Sequence, residues 1–270
     1  MYKIIYTFLI VLLISCNFAL EQSPEVAVRY GQTVTWALYD AEDLKADKQV
    51  TPVGACVMIY AKKNKSAYCL TAEHVRNYLL EDSSEGIIFG IRTLPDRTLE
   101  PIKFRTYRYN NTYDLALLIT VEPWLGEDLV VRIVPIQYPI GKPVYTIGSP
   151  VANSNVATFG HISSYIDNCQ GNNTGCYLAD PGIVPGNSGG GLFAYNNELV
   201  GITLKVDHVL NPVSFTSNDN SKLLPIVDQT GNSMVVETWI PHLGIFISNI
   251  NILQFLYVPK TLSADTKNLN

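Results

Sequence analysis

From residue 53 onward the chain is a string of short apolar runs: 53–61, 66–71, 86–91, 115–121, 129–136, 144–147, 156–166, 177–179, 191–195, 198–206 and 234–240. They are rich in β-branched and aromatic side chains and are cut apart by glycine, proline, asparagine and aspartate. Such residues fit the pleated, half-buried surface of a sheet, and turns at this spacing suit a barrel or sandwich better than βαβ units. An all-β fold is therefore expected, with two helical exceptions. One is a turn at 74–80. The other is a closing helix at 246–257, where Ile247, Ile250, Leu253 and Phe255 supply the apolar positions. A length of 270 residues can bury a sizeable core in one unit or in two small lobes.

Within this β pattern, Pro185-Gly186-Asn187-Ser188-Gly189-Gly190-Gly191-Leu192-Phe193 puts a serine in a glycine-rich turn. Acyl transfer needs a hydroxyl nucleophile beside backbone N–H groups aimed at the developing oxyanion. A Gly-x-Ser-x-Gly also marks the nucleophile elbow of α/β-hydrolases, for which Asp228 and His242 would complete the order. That alternative requires a helix directly after the serine, which three successive glycines discourage. Upstream, Leu70-Thr71-Ala72-Glu73-His74-Val75 ends an apolar run on a histidine, and Tyr113-Asp114-Leu115-Ala116-Leu117-Leu118 opens another with an aspartate. The resulting order is His74, Asp114, Ser188, in which the aspartate orients the histidine and the histidine serves the serine as base and acid.

With these residues in place, the chain resembles the trypsin-like (chymotrypsin-fold) serine proteases, and among them the HtrA/DegP type. The family pattern Leu-Thr-(Ala/Asn)-Ala-His-Val is met at 70–75, Asp-Leu-Ala-hydrophobic at 114–117, and the Asp-(x)4-Pro-Gly-Asn-Ser-Gly-Gly-Pro-Leu motif at 180–192. Gly160-His161-Ile162-Ser163 echoes a further family strand. Two positions depart: Glu73 stands for the usual alanine and Gly191 for the usual proline. The resemblance implies two six-stranded antiparallel β-barrels, at about 30–135 and 136–245, with the triad in the groove between them. It also implies polypeptide substrates and an oxyanion hole formed by the N–H groups of Gly186 and Ser188. Tryptic enzymes carry an aspartate six residues before the serine. Gly182 stands there in this chain, so cleavage after Lys or Arg is not expected. Thr203 to Lys205 would form the pocket wall, with a small aliphatic preference favoured; Lys205 leaves an acidic preference open. Asn187 is neutral where zymogen-derived enzymes have an aspartate, and no Ile-Val-Gly-Gly start occurs, so activation by cleavage is not expected. The residues after Gly244 are too few for the PDZ domain that HtrA proteins usually carry. A folded but catalytically idle binding protein is the alternative from another class.

The remaining features set the context. The net charge of −5 and the lack of any Lys/Arg cluster beyond Lys62-Lys63 argue against nucleic acid. The four histidines are scattered and no Cys-x-x-Cys occurs, so neither a metal nor another cofactor is expected. Residues 4–14 form an apolar run after Lys3, too short to span a bilayer and suited to the core of an export signal over 1–19. Leu13-Ile14-Ser15-Cys16 resembles a bacterial lipobox, which leaves a lipid anchor at Cys16 open. With Cys16 set aside, Cys56 and Cys69 flank a hairpin turn, while Cys169 and Cys176 flank Gln-Gly-Asn-Asn-Thr-Gly. Two bridges are expected, with four free thiols as the alternative. The tail 259–270 is polar, and the oligomeric state is not legible.

Overall fold

The computed structural model describes residues 22–40, 51–81, 83, 85–94, 98–150, 155–169, 174–206 and 244–257. Residues 1–19, where an export signal with Cys16 is expected, the tail 259–270, the run at 234–240, and Asp228 and His242 lie outside the described residues, as does the side chain of Lys205.

Thirteen strands and three helices make up the described chain. In order they are α1 (Pro24–Val34), β1 (Thr35–Tyr39), β2 (Gly54–Ala61), β3 (Tyr68–Ala72), α2 (Glu73–Glu81), β4 (Ile87–Thr93), β5 (Leu99–Asn110), β6 (Leu115–Thr120), β7 (Leu129–Val130), β8 (Pro143–Gly148), β9 (Val156–Ile166), β10 (Cys176–Ala179), β11 (Gly191–Ala194), β12 (Leu199–Val206), β13 (Gly244–Ser248) and α3 (Asn249–Tyr257). The strands close into two antiparallel barrels. The first runs β1-β4-β5-β6-β3-β2 and closes through β1–β2, with β7 added on the edge of β2; the second runs β10-β13-β12-β11-β8-β9. This is the chymotrypsin-like fold. Ser188 leads into strand β11, which removes the helix that an α/β-hydrolase elbow requires.

The closing helix begins at Asn249 instead of residue 246. Gly244–Ser248 is a strand because it joins β10 to β12 and completes the second barrel, burying Phe246 opposite Tyr177 and Thr203. Of the run 129–136, the structure gives strand form only to Leu129–Val130; Arg132 makes an isolated parallel bridge with Glu198. The turn at 74–80 is the helix Glu73–Glu81. Strands β1 and β5 and helix α1 were not anticipated. In α1, Ser23 is the N-cap, Pro24 opens the first turn, and Arg29 reaches back to Glu25 at 2.7 Å.

The main apolar core runs through both barrels, from Trp36, Leu70 and Phe104 to Tyr145, Phe193 and Ile247. Trp36 meets Phe104 and Trp124 edge-on, and the Arg92 guanidinium lies 4.8 Å from its ring centre. A second cluster, including Tyr138, Tyr177, Ile183 and Phe246, fills the second barrel. Helix α1 sits against both: Ala27, Gly31 and Val34 share its buried face, and Gly31 abuts Tyr145 and Ile147 of β8. Both expected bridges are present, Cys56–Cys69 with Cα atoms 5.7 Å apart and Cys169–Cys176 at 5.9 Å.

Candidate active site

Strand register brings His74 to Asp114. In the antiparallel β3–β6 pair, Thr71 faces Ala116 and Ala72 faces Leu115. The ladder then extends one step, since the Glu73 N–H donates to the Asp114 carbonyl at 3.1 Å. His74, first residue but one of α2, therefore starts beside the Asp114 side chain. Its backbone N–H donates to Oδ1 at 2.9 Å, and its Nδ1 lies 2.7 Å from Oδ2. One carboxylate thus caps a helix contributed by another part of the chain and holds the imidazole on it. Asp114 itself has φ +50°, a left-handed conformation that aspartate tolerates better than most residues. Its side chain is 17% exposed while that of His74 is 47% exposed, so the anion is sheltered and the imidazole edge is open. A bond donated by Nδ1–H to the carboxylate would leave Nε2 as the ring's acceptor.

Ser188 reaches the same region from the second barrel. Its carbonyl accepts from the Ala55 N–H at 2.8 Å, at the start of β2. Gly54 lies between that carbonyl and Val75, the neighbour of His74: a Cβ there would fall 2.8 Å from one and 2.7 Å from the other. Gly189, at φ +81°, sits directly on the Ala55 carbonyl and the Thr71 hydroxyl, leaving no room for a side chain. The Ser188 hydroxyl donates to the Leu204 carbonyl at 3.0 Å, and among the described residues it makes no hydrogen bond to His74. Catalytic hydrogen bonds of this kind often tighten only in the substrate complex.

The residues before Ser188 form a tight turn. The Asn187 N–H donates to the Val184 carbonyl at 3.1 Å, Pro185 occupies the second position, and Gly186 has φ +96° in the third, the pattern of a type II turn. The Gly186 carbonyl is turned to the Ser149 N–H at 3.3 Å. Among the described residues neither the Gly186 nor the Ser188 N–H is engaged in a hydrogen bond. Asn187 is buried, with Oδ1 unpartnered and packed over Gly148.

Around the turn, Gly182 borders open space, and its carbonyl accepts from the Thr158 hydroxyl at 2.8 Å. Thr203 bonds Gly189 and Gly190 through its backbone, while its hydroxyl faces that of Thr146 inside the barrel at 3.4 Å. Sequence reasoning missed Ile183. It is 3% exposed and packs onto Gly244 and Phe246, directly after Gly182. Its position one residue past Gly182 was the available signal; its contact with β13 was not.

Glu73, the departure beside the histidine, is buried, and its Oε1 lies 3.5 Å from the Arg76 guanidinium. Arg76 also donates to the Thr106 hydroxyl and lies 4.1 Å from the ring centre of Tyr109. Burial lowers the Arg76 pKa, and the neighbouring Glu73 opposes that shift. Among the described residues no group of histidine, cysteine and acidic side chains could hold a metal ion.

The comparisons with known proteins agree with this architecture. The model of the trypsin-like peptidase domain matches residues 54–202, more than half of the chain. The serine protease Do-like HtrA of Lactococcus lactis subsp. lactis (strain IL1403) is 28% identical over 155 residues, covering 54% of this chain and 35% of that protein. The match thus spans about a third of the relative's length. Among solved structures, the HtrA-type protease AlgW with a tripeptide superposes at a TM-score of 0.54 and 19% identity, over 85% of this chain and 61% of the other. The apo MamO protease domain from Magnetospirillum magneticum superposes at 0.53 and 15% identity, over 83% and 96%. These likenesses speak to the fold. The family match, over the segment that carries His74, Asp114 and Ser188, establishes that the chain belongs to the trypsin-like peptidase family.

Proposed function

We propose that the protein is a serine endopeptidase that hydrolyses polypeptides through His74, Asp114 and Ser188. The observation that carries this reading is the double hydrogen bond from His74 to the Asp114 carboxylate, with Ser188 anchored across the groove on Ala55. Ser188 Oγ turns from the Leu204 carbonyl to His74 Nε2 and attacks the scissile carbonyl carbon as Nε2 takes its proton. Asp114 holds the tautomer and stabilises the imidazolium, a contribution of about 10⁴-fold in the worked example of this mechanism. The oxyanion is received by the N–H groups of Gly186 and Ser188, each of which contributes about 10²–10³-fold where such donors have been removed. Collapse of the tetrahedral intermediate releases the amine, protonated by His74, and leaves an acyl-Ser188 that water hydrolyses by the same base.

A preference for small aliphatic side chains is supported by Gly182, which has no side chain and borders open space. No carboxylate is available at Gly182 to receive Lys or Arg. Asn187 is uncharged, so the serine turn needs no new ammonium terminus. The two disulfides suit an exported protein in an oxidising compartment.

The test compares the wild type with Ser188→Ala, using a fluorophosphonate probe and a diverse peptide mixture read by mass spectrometry. The wild type is expected to label and to cut after small aliphatic residues, and the variant to do neither. Labelling that survives Ser188→Ala would assign the nucleophile elsewhere. A wild type that neither labels nor cuts would leave a peptide-binding role.

A further inference from the structure

We propose that Gln32, on the N-terminal helix α1, is a positioning residue for the oxyanion turn; this rests on the catalytic reading of Gly186 and Ser188 above. The Gln32 side-chain amide donates from Nε2 to the Asn155 carbonyl at 3.0 Å, although the two residues are 123 positions apart in sequence. Asn155 precedes β9 in a left-handed conformation, φ +59°. The next residue, Val156, pairs with Gly148 at the end of β8. Gly148 packs against Asn187, and the N–H of the following Ser149 donates to the Gly186 carbonyl. A continuous route therefore leads from α1 to the Gly186–Asn187 peptide, which adjoins, across the Gly186 Cα, the Pro185–Gly186 peptide that carries the Gly186 N–H.

Side chains along this route do not supply the restraint themselves. Among the described residues, both polar atoms of the Asn155 carboxamide, the Ser149 hydroxyl and Asn187 Oδ1 are buried with no hydrogen-bond partner. The helix itself is firmly seated: the Tyr145 hydroxyl donates to the Ala27 carbonyl at 2.6 Å, and Arg92 donates to the Thr33 carbonyl at 2.5 Å. Gln32 thus transmits the position of a well-anchored helix to a strand end whose Asn155 side chain has no hydrogen-bond partner among the described residues. A displacement of about 1 Å at an orienting group can cost up to about 100-fold in rate. Loss of a remote restraint, with Gly186 still present, should cost less than removing its N–H.

The experiment uses the full protein and a peptide it cleaves, with Gln32→Ala, the near-isosteric Gln32→Glu, which removes the N–H donor, and Gln32→Arg, which keeps donors in reach. Measurements are kcat and KM separately, the rate of fluorophosphonate labelling, and Tm as a check that each variant folds. Gln32→Ala and Gln32→Glu are expected to lower kcat and the labelling rate about tenfold in parallel, with KM within twofold, and Gln32→Arg to retain most activity. A drop in Tm with kcat unchanged in Gln32→Ala and Gln32→Glu would make the bond merely structural and overturn the proposal, as would an effect confined to KM. A wild type that neither labels nor cuts would instead remove the catalytic reading on which it rests.

Discussion

At the scale of single residues, the departures from the family pattern reveal how this site is built. Glu73 is buried where the family pattern has alanine, and Arg76, three residues on, faces it while bonding Thr106 and lying over Tyr109. Removing one partner of a buried ion pair costs about 3–5 kcal/mol because the other charge is stranded, whereas replacing the pair with apolar groups is often neutral. Arg76→Ala should therefore destabilise the protein by about 1–3 kcal/mol, and the double variant Glu73→Ala/Arg76→Ala by clearly less. Urea unfolding of the three proteins checks this; an equal loss in both would mean that Glu73 needs no cation. Asp114 shows the same economy. Its left-handed backbone lets one carboxylate bond both the N–H and the ring of His74.

At the scale of elements, the Cys56–Cys69 bridge ties β2 to β3 just ahead of α2. These strands supply Ala55, which holds Ser188, and Thr71, on which Gly189 rests. A loop of this length is constrained in the unfolded chain by about 3 kcal/mol. Replacing both cysteines by serine should lower unfolding free energy by about that amount, read from denaturant midpoints. No shift in midpoint would show that the barrel ladder alone fixes the hairpin. Elements also mark where sequence reading stopped short. Strand β5 alternates residues of intermediate burial with exposed Leu99, Lys103, Arg105 and Tyr107, so its composition lacks a dominant apolar run even though it pairs with both β4 and β6. Helix α1 carried a readable signal, Ser23-Pro24-Glu25, the cap and first turn of a helix. Residues 246–248 read as the start of the closing helix; the open edge between β10 and β12 made them strand.

At the scale of the whole molecule, the barrels share a core, and Tyr145 stands at their junction with α1. It stacks on Phe193 at 5.5 Å between ring centres, meets Tyr195, and donates to the Ala27 carbonyl. Burial raises its pKa, reinforced by Tyr30 and Tyr195, and burial likewise raises that of Tyr177 to about 12. The unfolded chain ionises these phenols near pH 10, so it binds fewer protons than the native state above that point. Their contribution is thus intact below about pH 10 and is lost progressively as pH rises toward the folded-state values. Tyr145→Phe should cost about 1 kcal/mol at neutral pH, the worth of one hydrogen bond, yet show a shallower loss of stability above about pH 10. Unfolding free energies between pH 7 and 11 test both parts; identical slopes for the two proteins would place the alkaline sensitivity elsewhere.

Much of this protein was legible before any coordinates. The β-rich runs, the pairing of four cysteines and the three motifs around His74, Asp114 and Ser188 each occupy a few adjacent residues, where local propensity and spacing carry the information. What lies between distant segments was not legible. The register of β3 on β6 brings Asp114 onto His74, and Ala55 draws Ser188 from one barrel to the other. Ile183 meets Gly244 across 61 positions, and Gln32 reaches Asn155 across 123. Contacts of this kind depend on strand order, closure of the barrels and the seating of α1. These are set by the burial of the whole core at once, and no short stretch of residues specifies them. Sequence determined which groups this protein has for its chemistry; only the tertiary structure decided which of them meet, because meeting depends on packing between segments far apart in the chain.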